Sequence, residues 1–179
     1  MRFELISGHV ALDFVGTVAE WTTQATELLT CPDDLADWLV LAGLVDTVHA
    51  DDADLANARE LRAALYEHVR ALTEDRGSAR LAVINNAAAS RPVQLSVSAD
   101  GTIRRTGTVT ETLCDVARAG ILLAEPPTRS LIRWCDDPTC TRVFLDRSRG
   151  RRRRWCGMAG CGDRAKAAAY RHRRRTGGH

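Results

Sequence analysis

Two short loops constrain this chain more than any other part of it. Cys135 and Cys140 enclose Asp136-Asp137-Pro138-Thr139, Cys156 and Cys161 enclose Gly157-Met158-Ala159-Gly160, and fifteen residues separate the two pairs. A tetrahedral zinc site needs four soft ligands, each about 2.3 Å from one ion, and two knuckles offering two sulfurs each meet that need. Pro138, Gly157 and Gly160 supply the turns. Structural or disulfide-bonded cysteines are the bland alternative, and reactive thiols a second one. Met1-Arg2-Phe3-Glu4 lacks the basic and then apolar run of a secretory leader, so stable disulfides are not expected. The expected cofactor is one Zn2+ held by Cys135, Cys140, Cys156 and Cys161, with no position left open for catalysis.

The charge distribution separates the chain into unlike ends. Residues 147–175 hold twelve of the 25 Lys and Arg with Asp163 as the single acid, a net of +11, which leaves −9 on the rest. The first end suits an anionic partner and the second does not. With 179 residues and 45% hydrophobic content, one ordinary domain and a small module can form. No apolar run approaches the roughly 18–20 residues of a membrane span, so a soluble, cytoplasmic protein without membrane contact is expected.

Along the chain, Phe3–Ile6 reads as extended, and Val10, Phe14 and Val18 recur at helical spacing. Leu28–Leu44 reads as a helix opened by Cys31-Pro32-Asp33-Asp34, with Leu35, Trp38, Leu39 and Ala42 inward and Gly43 at its end. Asp51–Asp75 is the longest helix, with Leu55, Leu61, Leu65, Val69 and Leu72 on its core face. Ser78–Ala89 is another, with Leu81, Ile84 and Ala88 inward. Val93–Ser98 and Thr102–Thr106 alternate about Asp100-Gly101, which predicts a β-hairpin with a tight two-residue turn. Thr110–Glu125 is helical and Pro126-Pro127 stops it. Gly162-Asp163 is a candidate N-cap for an alanine- and arginine-rich last helix.

Trp155-Cys156-Gly157-Met158, then Cys161-Gly162-Asp163-Arg164-Ala165-Lys166, together with Phe144-Leu145-Asp146-Arg147-Ser148, resemble the CGNR-type zinc finger. That family has Asn where this chain has Asp163. The N-terminal stretches Ala11-Leu12-Asp13-Phe14-Val15, Asp34–Leu39 and Glu60–Tyr66 are similar to the ABATE domain, which usually precedes this finger in bacterial stress-induced transcription regulators. The family has Asn where this chain has Gly16. The resemblance implies ligand sensing by the N-terminal part and DNA binding by the finger.

The arginines have bland uses as well, as donors to the sulfurs and as bridges to the acidic part. Those uses do not absorb +11. Arg151, Arg152, Arg153 and Arg154 lie between the knuckles, and Arg164, Lys166, Arg171, Arg174 and Arg175 on the last helix, where Arg164, Ala168, Arg171 and Arg175 share a face. These are the candidate nucleic-acid contacts. Trp134, Val143, Phe144, Leu145, Trp155 and Tyr170 are the expected core of the finger. His9 and Asp13 are four residues apart on one helix face, but no phosphate loop, nucleophile elbow or His-Glu metal motif is present, so no enzyme is expected. Cys114 falls in an apolar helix pattern, the setting of a buried and inert thiol.

The fold expected is α+β and mainly helical: a helical N-terminal domain with a β-hairpin over residues 1–128, then a small treble-knuckle-like zinc module ending in a basic helix over 129–179. The function expected is a zinc-dependent DNA-binding transcriptional regulator. RNA is the alternative partner, and a protein-interaction adaptor using the basic tail is a further one. A small-molecule ligand of the N-terminal domain and a homodimer complete the expected partners.

Overall fold

The apolar run Ala11–Val15 forms helix α1 (Val10–Val15) and lies at the middle of the core, with Ala11, Leu12, Phe14 and Val15 at most 1% exposed. The computed structural model describes residues 3–21 and 25–176. Met1 and Arg2, read above for a leader, and the side chain of Arg175 lie outside the described residues. Val18 does not extend α1. Gly16 closes the helix, and the Thr17 hydroxyl donates to the Phe14 carbonyl at 2.7 Å. Val18 instead pairs with Glu27 in a two-residue ladder, β1 (Val18–Ala19) with β2 (Thr26–Glu27).

Helix α2 (Pro32–Leu41) starts later than the apolar pattern implied. The Asp34 carboxylate accepts from Thr30 and Cys31 N–H at 2.7 and 3.0 Å, which fixes the cap at Cys31 and leaves Leu28 and Leu29 outside. Leu35, Trp38 and Leu39 are fully buried as their spacing requires. A reciprocal Asp51–Asp54 capping box opens α3 (Asp52–Thr73). In α4 (Leu81–Ala88) Ile84 is buried, but Leu81, at the first position, is 43% exposed rather than inward. Thr108 and Glu111 form the capping box of α5 (Val109–Leu122). The prolines that were expected to stop α5 instead open a further turn, α6 (Pro126–Arg129), where a missing N–H costs nothing.

Helices α1, α3, α4 and α5 pack on one another, and α2 rests on α3. The closest approach is at Gly120 of α5, where a Cβ would fall 2.3 Å from Leu65 Cδ2 of α3. The predicted hairpin is β3 (Gln94–Val97) with β4 (Ile103–Thr106), antiparallel, Leu95 opposite Arg105 and Val97 opposite Ile103. Its loop has three residues, not two. Gly101 N–H donates to Ser98 C=O at 2.9 Å and Gly101 takes φ +83, the left-handed residue of a bulged turn.

The last ladder, β5 (Ile132–Trp134) with β6 (Val143–Leu145), was not foreseen, being three residues a strand. Its period-2 alternation has a large consequence. Ile132, Val143 and Leu145 join the same buried cluster as Leu12, Phe14 and Leu65, while Phe144 points the other way, onto the cysteines. Leu145 N–H also donates to Ser7 C=O at 2.8 Å. The finger's hairpin is therefore a wall of the helical core. The chain is α+β and mainly helical, with small antiparallel hairpins.

Gly120→Val forces a branched side chain against the fully buried Leu65. It is expected to destabilise the chain by about 1–3 kcal/mol, the usual cost of overpacking, read from urea unfolding followed by far-UV circular dichroism, with zinc content unchanged.

Candidate metal centre and the basic groove beside it

The β5–β6 hairpin presents the first knuckle. Cys135 N–H donates to Arg142 C=O at 3.0 Å, and Cys140 N–H to Asp137 C=O at 2.9 Å. The second knuckle turns through Gly160 at φ +120, a conformation open to glycine, and closes with Gly162 N–H on Gly157 C=O at 3.1 Å. The two loops bring all four Sγ atoms within 4.8 Å of one another. Cys140 and Cys156 sulfurs are 3.8 Å apart, and Cys156 and Cys161 sulfurs 3.6 Å. Four sulfurs about 2.3 Å from one ion define a tetrahedron with edges of about 3.8 Å. A disulfide would need about 2.05 Å. Cys135, Cys156 and Cys161 are buried, and Phe144 and Trp155 shield the cluster. This donor set is that of a closed structural zinc site, and the four cysteines are positioned to hold Zn2+.

Electrostatics make the cation necessary. The hydrogen bond between the Cys156 and Cys140 sulfurs pushes the Cys156 thiol up, and burial and the neighbouring sulfurs add to this. Burial pushes Cys161 up to about 12. Cys140, which receives the Cys156 hydrogen bond, falls to about 5. Cys140 can ionise alone, but Cys156 and Cys161 ionise readily only with a divalent cation in the pocket.

Arginine and acid side chains finish the site. Arg164 donates from Nη2 to Cys161 Sγ at 3.0 Å and from Nε to Asp137 Oδ2 at 2.9 Å. Asp137 is buried inside the first knuckle. Burial acts to raise its pKa, but the Thr139 hydroxyl and N–H and then Arg164 hold it below the usual carboxylate range. Arg164 thus orients a ligand sulfur through a carboxylate-anchored fork.

A second clip lies behind the knuckles. Asp146 is fully buried. Its Oδ1 accepts from Ser148 Oγ and N–H at 2.6 and 3.0 Å, and its Oδ2 from Arg153 N–H at 3.0 Å. The Ser148 hydroxyl is the main reason its pKa is lowered. Arg153 turns inward. Its guanidinium donates to Trp155 C=O at 3.0 Å, to Ile6 C=O at 2.9 Å and to Cys156 C=O, and lies 4.2 Å above the Phe144 ring. Sequence reasoning did not find this anchor. Its one sign was a lone acid, Asp146, bordering a run of arginines.

The other basic residues face outward. Arg154 pairs with Asp136 at 2.7 Å and covers the Trp155 ring. Arg151 and Arg152 are exposed on the loop between the knuckles. Helix α7 (Asp163–Thr176) leaves the second knuckle with Lys166, Arg171 and Arg174 exposed. Between α7 and the first knuckle runs a groove of about 660 Å³, lined by Arg154, Trp155, Arg164, Lys166, Ala168 and Arg171 among others. Arg164, Ala168 and Arg171 share this face as their spacing implied. Asp163 is the first residue inside α7 rather than its cap. Its carboxylate faces Lys166 Nζ at 3.6 Å, and the chain enters the helix from a kinked turn, Met158–Gly162. Tyr170, expected in the finger's core, is 56% exposed, and Trp134 packs on the main core instead.

In the N-terminal part, His9 and Asp13 do not form a side-chain pair among the described residues. The Asp13 carboxylate accepts Ser7 N–H at 2.8 Å, and burial raises its pKa. Cys114 is buried, and its thiol donates to Ser90 C=O at 3.0 Å.

Residues 132–174 match the family model of the CGNR zinc finger, from the first residue of β5 into α7. No curated protein matches the chain. Among the described residues no helix is long and apolar enough to cross a membrane.

Zinc loading at pH 7 is expected to release protons, because Cys156 and Cys161 have raised pKa values and must ionise to ligate. Affinity should therefore fall as pH falls, measured with a competing chromophoric chelator. Asp137→Ala frees the Arg164 fork and should weaken zinc about 10–100-fold, whereas Arg151→Ala should leave it unchanged.

Proposed function

We propose that this chain is a zinc-dependent DNA-binding transcriptional regulator. The observation that carries the reading is the groove beside α7, a concave strip against the metal knuckles in which Arg154 and Arg164 are paired with Asp136 and Asp137 and Lys166 and Arg171 add further positive charge. Zinc holds the knuckles at a fixed angle to the helix, and small residues at Ala165, Ala168 and Ala169 let a sugar-phosphate backbone come close. Helix α7 projects with its charges in water, so their field reaches an approaching polyanion. The match over 132–174 supports the finger reading. The resemblance of Ala11–Val15, Asp34–Leu39 and Glu60–Tyr66 to the ABATE domain supports a sensing or assembly role for the helical part, in a bacterial stress-response setting and in the cytoplasm.

The side chains divide the work. Arg153 and Arg164 serve the fold and the metal. Arg151, Arg152, Arg171 and Arg174 are exposed without a carboxylate partner among the described residues, and these are the phosphate contacts of the reading. Trp155 lines the groove beneath the Arg154 guanidinium, and an unstacked base that displaced the guanidinium could lie on its ring, which is the feature that favours RNA or single-stranded DNA as the second reading.

Four phosphate contacts predict a log–log salt slope of about −3 to −4 for duplex DNA. Fluorescence anisotropy with duplex DNA, single-stranded DNA and RNA over a salt series tests this. Arg171→Ala and Arg174→Ala should each reduce the slope by about one, with zinc retained. A preference for single strands that is lost in Trp155→Leu would select the second reading. Binding to none of the three would overturn both.

A further inference from the structure

Among the described residues, Val97 and Leu95 are the most exposed large hydrophobic side chains, at 72% and 70%, with Ile103 at 53%. All three lie on one face of the β3–β4 hairpin, because Val97 is opposite Ile103 and Leu95 is two residues along. The backbone directions are equally informative. Ser98 N–H donates across the hairpin to Thr102 C=O at 2.9 Å. By alternation, Ser96 and Gln94 also face β4, whereas the N–H and C=O of Leu95 and Val97 face away from it.

The two edges of the hairpin differ. On β4 the outward groups of Arg105 are both taken: its N–H by Asp46 Oδ2 at 2.9 Å and its C=O by Asp46 N–H at 3.1 Å. On β3 the outward groups of Leu95 and Val97 have no partner among the described residues. Val93, at the start, gives its N–H to Asp115 at 3.2 Å. β3 is thus an edge with no lysine, no proline within it and an apolar face, the kind that pairs with another strand.

We propose that this edge joins two copies of the chain. β3 of each copy runs antiparallel to the other about a two-fold axis through Ser96, giving a four-stranded sheet. The register follows from the residues. Centring on Ser96 sets Leu95 opposite Val97 of the second copy, so all the outward N–H and C=O groups of both residues are satisfied. The same register merges the two apolar faces into one stripe of Leu95, Val97 and Ile103 from each chain. Centring on Leu95 would need Val93 N–H, which Asp115 holds. Charge agrees. The Ser96 axis brings Asp100 at the turn of one copy beside Arg91 and Pro92 of the other, at both ends of the sheet, where the Arg91 side chain, paired with Glu111 at 2.5 Å, is still 65% exposed and can meet a second carboxylate. The contact is isologous, so it closes at two copies. It buries less than the about 800 Å² per partner of a standard interface, so it forms reversibly, with a dissociation constant of about micromolar or weaker.

Sedimentation equilibrium of the full zinc-loaded chain, without nucleic acid, should show a monomer–dimer equilibrium. Leu95→Lys with Val97→Lys should weaken it at least about tenfold, with unchanged zinc content and circular dichroism. Crosslinking gives an independent measure. Ser96 faces its own copy at a non-hydrogen-bonded pair, about 4.5 Å between Cα atoms, so Ser96→Cys in a Cys31→Ser background should give a disulfide-linked dimer under mild oxidation. Ser98→Cys should not, being about 13 Å from its mate by strand rise. A chain monomeric at every concentration, or a dimer indifferent to the lysines and to the Ser96 position, would overturn the proposal. Because no nucleic acid enters these measurements, the result is independent of the DNA-binding reading.

Discussion

Four sulfurs crowded within 4.8 Å of one another form the constraint on which the C-terminal architecture depends. Left to themselves they cannot all ionise, and ionised they repel. A divalent cation resolves this, but a tetrathiolate zinc centre still carries a formal −2. The chain answers with guanidinium: Arg164 on the sulfur itself, and Arg153 on the carbonyl of a ligand residue. Part of what looks in the sequence like a nucleic-acid surface is therefore the counter-charge of the metal site.

The strand β6 carries this constraint into the rest of the molecule. Phe144 closes the metal side, and Val143 and Leu145 close the helical side, through three consecutive residues of one strand. A displacement of the knuckles must then move side chains in the main core. Arg153 reinforces the link by reaching Ile6, and Arg142 by donating to Glu4 C=O at 3.1 Å. Close packing transmits such displacements rather than absorbing them. A displacement among the helices thus has a physical route to the metal knuckles. Gly16 stands on that route, since a Cβ there would lie 3.6 Å from Arg142 Nη1. An Asn at this position, as in the resembling family, would sit beside the guanidinium that ties the two parts together.

The helices were legible because their signals are local. The stripes of Leu35, Trp38 and Leu39 and of Leu55, Leu61, Leu65 and Val69 need only neighbours within a few residues. The cysteine ligands were legible because two turns with paired sulfurs have few other uses. What could not be read was set by distant partners. Val18 left its helix because Glu27, held by the buried Arg62 at 2.7 Å, was available as a strand partner. Strands β5 and β6 are too short to show a period. Arg153 is chemically identical to Arg152, and only the position of Asp146 and Phe144 turns one inward and leaves the other in water. Tyr170 was assigned to a core because it is aromatic, yet among the described residues α7 packs mainly against the turn that precedes it, which leaves the Tyr170 side chain exposed.

That last feature bears on how the basic end would work. A helix of fourteen residues that is anchored, among the described residues, mainly through its first turn is marginal in water, and like charges at three- and four-residue spacing weaken it further. Arg171 and Arg174 are three apart on α7, while Arg164 meets Asp137 and Lys166 meets Asp163. Three alanines in succession supply helix propensity at Ala167–Ala169, but propensity alone does not fix a surface helix. A polyanion lying along the helix would remove the repulsion and stabilise it. Strengthening α7 at an exposed position would then tighten such binding without adding a contact. The zinc knuckle contributes the fixed end from which that helix grows, which explains why a structural metal and a chain of arginines occur in the same short stretch.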